Sequence, residues 1–167
     1  TMARVGITNQ WDDVGFGVQG NGSRWQDQID YYASGGGRSE TLVVDFNGEV
    51  TDVVARIGML GQTEGPNGTP ETGTWKAYDG DGNLVDQGRI GPDQSTLGAG
   101  VKEGGSYGLF PIAIDADAPF EWLELEATQF DYGNASSTTE SYGENSSDYN
   151  LVGLDFLRLE PSDDILV

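Results

Sequence analysis

The stretch F-E-W-L-E-L-E-A-T, Phe120 to Thr128, alternates: Leu123, Leu125 and Ala127 fall on one face, Glu124 and Glu126 on the other. Successive side chains of a β-strand point to opposite faces, so a period of two marks a strand with one buried and one wet side. Thr51 to Leu60 repeats the pattern, with Val53, Ala55, Ile57 and Met59 on one face. Working outward, further strand signals lie at Val5–Ile7, Gly15–Val18, Thr41–Phe46, Gly73–Tyr78 and Leu84–Ile90, with a weak one at Gly105–Phe110. Leu151 to Glu160 is apolar on both parities, which places it in the middle of a sheet. Arg24 to Tyr32 reads as one helical turn or an irregular strand. No long amphipathic helical stretch, internal repeat or domain boundary is visible. Most of the 26 glycines sit between the strand runs, where turns need positive φ. Many short strands with Gly-rich turns predict an all-β fold, an antiparallel β-sandwich. Residues 1–167 fit one domain.

The chain carries 8 Lys and Arg against 28 Asp and Glu, a formal charge of -20. Such a chain repels nucleic acid and anionic membranes, so neither is an expected partner. It also repels itself, and a bound cation would relieve that. Cys and His are both absent, which removes Cys nucleophiles, Ser-His-Asp triads, the usual zinc and copper sites, and disulfides. No apolar run approaches the roughly 18 residues of a membrane span, so no membrane insertion is expected. No signal peptide is visible, and Thr1-Met2 reads as the edge of a piece cut from a longer chain. The sequons at Asn21, Asn67, Asn134 and Asn145 are read as chance in a chain this rich in Asn, Gly and Ser.

The polar run after Phe130 is the first candidate site. It supplies Asp131, Glu140, Glu144 and Asp148 with amides and backbone carbonyls, the hard oxygens that suit calcium. A mobile surface loop is the alternative. Asp79-Gly80-Asp81-Gly82-Asn83 has the D-x-D-x-N start of a calcium loop but lacks the closing bidentate Glu. Its D-G and G-N dipeptides serve a plain hairpin equally well. Gln26-Asp27-Gln28-Ile29-Asp30 sets two carboxylates three residues apart, or is an ordinary solvated segment, as is Asp12-Asp13. Glycine runs at Gly35–Gly37, Gly98–Gly100 and Gly104-Gly105 could form anion nests, though flexible turns are the commoner use. The candidate metal ligands are thus Asp27, Asp30, Asp79, Asp81, Asn83, Asp131 and Asp148, and the candidate ligand-binding residues are Tyr132, Gly133, Asn134, Tyr142 and Tyr149. Aromatics beside polar residues could also form a platform for sugar rings, whereas Trp75 and Trp122, inside strands, are expected to pack in the core or on a sheet face. Glycosidases use paired carboxylates, but no motif marks a pair among 28 acids, and no enzyme activity is expected.

Four segments then suggest a family: L-V-V-D-F at Leu42 to Phe46, T-W-K-A-Y-D-G-D-G-N-L-V at Thr74 to Val85, F-E-W-L-E-L-E-A at Phe120 to Ala127, and S-S-D-Y-N-L-V-G-L-D-F at Ser146 to Phe156. With the acidic, Cys-free composition and the segment Ile7 to Gly20, the chain resembles the ligand-binding β-sandwich modules of giant bacterial repeats-in-toxin (RTX) adhesins. Within that group it is most similar to the calcium-dependent peptide-binding domain. The resemblance covers most of the chain and implies a single ligand-binding domain over residues 1–167, a lectin-like or carbohydrate-binding-module-like β-sandwich with long calcium-binding loops. It also implies a monomeric module on the bacterial cell surface, extracellular, exported by type I secretion and used in cell adhesion and biofilm formation. It further implies binding of the free C-terminal end of peptides or proteins on target cells, the ligand carboxylate contacting a bound calcium. The resemblance fixes no ligand numbering, and the residues named above come from local chemistry. A calcium-dependent carbohydrate-binding module, with glycans as partners, is the alternative.

Overall fold

A computed structural model describes residues 5–8, 15–18, 28–32, 38–63, 68–104, 109–129 and 147–159. Among them the chain forms ten strands: β1 (Val5–Thr8), β2 (Gly15–Val18), β3 (Ile29–Tyr32), β4 (Arg38–Ser39), β5 (Thr41–Gly58), β6 (Gly73–Tyr78), β7 (Leu84–Ile90), β8 (Phe110–Ile114), β9 (Phe120–Ala127) and β10 (Asp148–Arg158). Every strand pair is antiparallel, in the order β1-β2-β10-β5-β9-β6-β7, with β3 beside β10 and β4, and β8 beside β5. The all-β antiparallel fold read from the alternating patterns is the one observed.

Two expected strands, Thr41–Phe46 and Thr51–Leu60, are one 18-residue strand, β5. The sequence suggests a break because Asn47-Gly48 is a turn dipeptide. Asn47 (φ 53°), Gly48 (φ 139°) and Asp52 (φ 51°) do leave the β region, and the Asn47 amide donates to Asp45 Oδ1 at 2.8 Å. The result is a bulge, not a reversal: Asp45 pairs with Trp122 and Val50 with Phe120, so four residues of β5 stand against one of β9. The first half of β5 pairs with β9, and the second half pairs with both β10 and β8. Arg158 Nη2 donates to Phe46 O at 2.6 Å and Leu159 N to Glu49 O at 2.9 Å, which holds the bulge from the β10 side.

One hydrophobic cluster takes side chains from both halves. Leu42, Trp75, Ala77, Leu123 and Leu125 come from β5, β6 and β9; Val53, Ala55, Ile57, Ile112 and Leu151 come from β5, β8 and β10. Such a shared core is compatible with the sandwich expected from the sequence, while the strands hydrogen-bond as one ten-stranded antiparallel sheet. Phe46, at the bulge, meets Phe120 and Phe156 edge-on at 5.7 and 5.0 Å. Burying each large aliphatic side chain contributes about 1.5–3 kcal/mol, so this cluster is the main stabilising term.

Of the weak strand signal at Gly105–Phe110, residues 105–108 lie outside the described residues, Leu109 bridges Glu103, and Phe110 opens β8. That strand is F-P-I-A-I, whose Pro111 argues against a strand from sequence alone. Among the described residues its ladder runs only to β5, apart from a single bridge from Ser95 to Ile112, and an edge position tolerates the missing N–H. Of the ambiguous segment Arg24–Tyr32, Ile29–Tyr32 is strand and residues 24–27 lie outside the described residues. β10 lies between β2 and β5 as expected of a two-sided apolar run, but its far end opens to solvent at Phe156 and Leu157.

The outer face of the β5–β9–β6–β7 sheet is ordered in rows. Thr41, Glu126, Thr74 and Arg89 form one; Val43, Glu124, Lys76 and Gln87 the next; Asp45, Trp122, Tyr78 and Leu84 the third. On its inner face two glycines admit aromatic rings. A Cβ on Gly88 would sit 2.5 Å from the indole of Trp75, its cross-strand partner, and one on Gly73 would sit 2.6 Å from both the Tyr149 ring and Glu126 O. Gly88→Ala and Gly73→Ala should each destabilise the fold by about 1–3 kcal/mol through overpacking. Gly153→Ala, where no atom stands within 4 Å, should change stability by less than about 0.5 kcal/mol. Urea unfolding midpoints of the three variants check this, and equal effects would contradict the packing described.

Candidate functional site

Where β9 ends and β10 begins, Thr72, Thr128 and Ser147 are pinned to one another. Ser147 N donates to Thr128 O at 3.1 Å, and Thr128 N donates to Thr72 O at 3.0 Å. Thr72 N donates to Ser147 Oγ at 2.9 Å, the Thr72 and Thr128 hydroxyls meet at 2.6 Å, and Tyr31 N donates to Ser147 O at 3.2 Å. Ser147 is fully buried, so its hydroxyl and backbone must find partners inside the protein, and these bonds supply them.

The next residue, Asp148, starts β10 directly opposite Asp30 of β3. Opposed residues of an antiparallel pair project to the same face with Cβ atoms about 4.5–5.5 Å apart. Two carboxylates proposed as metal ligands from distant segments are therefore neighbours. Around them stand two more acids. Glu71 Oε1 accepts from Asp148 N at 3.2 Å and Glu71 Oε2 from Gly61 N at 2.5 Å. Glu40 Oε2 accepts from Asp30 N at 3.3 Å, and Glu40 N donates to Asp30 O at 2.8 Å. Gln28 Nε2 donates to Asp148 Oδ1 at 2.7 Å. Glu71 is only 2% exposed and Gln28 3%. A buried carboxylate is costly unless hydrogen-bonded, and Glu71 meets that cost with two backbone N–H groups from separate segments.

Glu40, Glu71, Gln28 and Ser147 were not among the sequence candidates. Each sits in a polar stretch like many others in this chain, and only the pairing of β3 with β10 collects them. Among the described residues no group of three or more acidic side chains is placed to hold a metal ion, so these carboxylates do not by themselves form a complete site. Asp27, Asp131, Tyr132, Gly133, Asn134 and Tyr142 lie outside the described residues. Among the described residues no helix is long and apolar enough to cross a membrane.

The D-G-D-G-N segment is a hairpin turn between β6 and β7. Asp79 N donates to Asn83 O and Gly82 N to Asp79 O, each at 3.0 Å, with Gly82 at φ 82°. Asp79 Oδ1 accepts from Asp81 N at 3.0 Å and from Asn83 N at 2.8 Å, and the Asn83 amide donates to both Asp79 oxygens. The Asp79 carboxylate is thus turned into its own loop, and a cation there would compete with the Asn83 amide.

Tyr149 requires a correction. Expected to contact ligand, it is a core residue, 0% exposed, whose hydroxyl donates to Glu126 O at 3.0 Å. It stands at an inward position of β10, and the space left by Gly73 admits its ring. Burial pushes its hydroxyl well above the usual tyrosine range, and the nearby Glu126 charge adds to this. Of the strand tryptophans, Trp75 is buried and Trp122 lies on the sheet's outer face, 42% exposed.

Two pH-dependent effects follow. The Asp79 carboxyl is held below the ordinary Asp range, first by the Asn83 side-chain amide and then by backbone N–H groups of the turn. A depressed folded-state value contributes stability above the unfolded value and loses it as pH falls. Asp79→Ala should therefore destabilise at neutral pH, and its midpoint should converge on the wild type in strong acid. The raised Tyr149 has the opposite sign: its contribution is complete below about pH 10 and is lost as pH rises beyond that. Tyr149→Phe should cost about 1 kcal/mol at neutral pH for the lost hydrogen bond and should flatten the alkaline fall in stability. Chemical denaturation across the pH range reads both, and a parallel offset at every pH would refute the linkage. No family model, no curated protein and no solved structure matches this chain.

Proposed function

We propose that this chain is a non-catalytic, calcium-dependent adhesion module that captures the free C-terminal end of peptides or proteins on a target cell. Its setting in this reading is extracellular, on a bacterial surface. The observation that carries it is the meeting of Asp30 and Asp148, flanked by Glu40 and Glu71, at the start of β10. Like charges directly opposed across a sheet destabilise it, and a divalent cation converts that repulsion into attraction. Asp30 and Asp148 would hold the ion, with further oxygens from Asp27 and Asp131, which lie outside the described residues. The bound ion would present positive charge and an open coordination position to a ligand's terminal carboxylate. The resemblance to RTX peptide-binding domains and the formal charge of -20 on a chain without disulfides support the same reading.

Calcium should raise the melting temperature. A ligand held only by the native state stabilises it by about 2.7 kcal/mol at a hundredfold excess over its dissociation constant, which is several degrees for a domain of this size. Identical melting in millimolar calcium and in chelator would remove the ion from the fold. Asp148→Asn should lower the number of ions counted by calorimetry, while a wild-type count would move the ion elsewhere. Any peptide that binds should lose about 2–5 kcal/mol when its C-terminus is amidated, roughly thirtyfold or more in affinity. Equal binding of acid and amide in calcium would sink the carboxylate-capture mechanism.

A further inference from the structure

The outer face of the β5–β9–β6–β7 sheet carries two unlike ends. At one, cross-strand neighbours Trp122, Tyr78 and Leu84 put an apolar surface in water, with Trp122 42% and Leu84 50% exposed. At the other is a concavity of about 430 Å³ whose polar lining includes Thr72, Thr74, Lys76, Gln87, Arg89 and Thr128. Thr74 stands four residues before Tyr78 on β6, so the two ends lie about 13 Å apart at ~3.3 Å per residue.

The charge state of the concavity decides what it suits. Lys76 Nζ contacts Glu126 Oε2 at 2.8 Å, and Arg89 Nη1 contacts both Asp93 oxygens at 2.7 Å. Both cations are already neutralised, so a carboxylate or phosphate finds no uncompensated charge there and must approach a chain of net charge -20. An uncharged polyhydroxylated ligand meets no such barrier. The ion pairs hold planar and pointed donors and acceptors side by side, and Gln87 and the threonines add both kinds, which is what hydroxyl groups require. The C–H faces of a sugar ring match the Trp122–Tyr78 end, since binding sites combine apolar or aromatic surface with a few fixed polar groups.

We propose that this sheet face is a binding site for uncharged oligosaccharides, with Trp122 and Tyr78 under a sugar ring and Lys76, Gln87 and Arg89 bonding hydroxyls further along the chain. The site uses no metal ion, so it is independent of the calcium-held peptide site proposed above. An array of uncharged glucose, galactose and mannose oligosaccharides, probed with the full chain in excess chelator, should give bound members. Titration with the best of them should show Trp122→Ala and Gln87→Ala weakening binding by roughly tenfold or more, as losing a central contact residue does. Both residues are exposed, so melting temperatures should stay at wild type and separate lost binding from lost fold. No uncharged glycan bound in chelator, binding confined to sulfated or sialylated members, or wild-type affinity in both variants would each overturn the proposal.

Discussion

The structure depends on β5 remaining one strand through its bulge. An unpaired backbone N–H or C=O in the interior costs free energy comparable to a lost hydrogen bond, so a long strand is stable only if ladders continue along it. β5 satisfies this by changing partners: β9 for its first half, then β10 and β8 for its second. The left-handed residues Asn47 and Asp52 are polar types that tolerate this conformation, and Gly48 has no Cβ to clash. The change of partners makes β5 the element that joins β9 to β10 and β8, and side chains from both of its halves meet in one core.

Buried polar contacts then fix the part of the fold where β9 ends and β10 begins. Tyr149 reaches across to Glu126 O, Glu71 joins Gly61 to Asp148, and Ser147 is bonded to Thr72, Thr128 and Tyr31. Each is a buried polar group whose partners lie on other segments, so each ties separate parts of the chain to one geometry. A hydrophobic cluster tolerates many arrangements, whereas hydrogen bonds between buried groups tolerate few. Asp30 and Asp148 therefore meet at a rigid place, which is what an ion site needs from its framework.

Electrostatics divides the surface. Among the described residues Lys76 pairs with Glu126, Arg89 with Asp93, and Arg56 with Glu103 and Asp155. Over the full sequence the acids still outnumber the bases 28 to 8. Two kinds of ligand are compatible with such a surface, a cation that relieves the repulsion and a neutral molecule that ignores it, and the two proposed sites correspond to these.

The alternation at Phe120–Thr128 and Thr51–Leu60, and the glycines between the runs, determined strand identity, the all-β class and which faces are apolar. These are local properties, because side-chain direction in a strand follows from backbone geometry alone. The hairpin at Asp79–Asn83 was legible for the same reason, since its turn residues bond to one another. Three other features were not. Asn47-Gly48 signals a turn, and only the partner strands β9 and β10 made it a bulge. Tyr149 looks like a binding residue in a polar sequence, and only the gap left by Gly73 drew it into the core. The neighbours Asp30 and Asp148 lie 118 residues apart, and Glu71, bonded to Asp148, lies in a stretch with no motif. Pairing between distant strands depends on the summed burial of all of them, so which carboxylates face each other was decided by the tertiary structure alone.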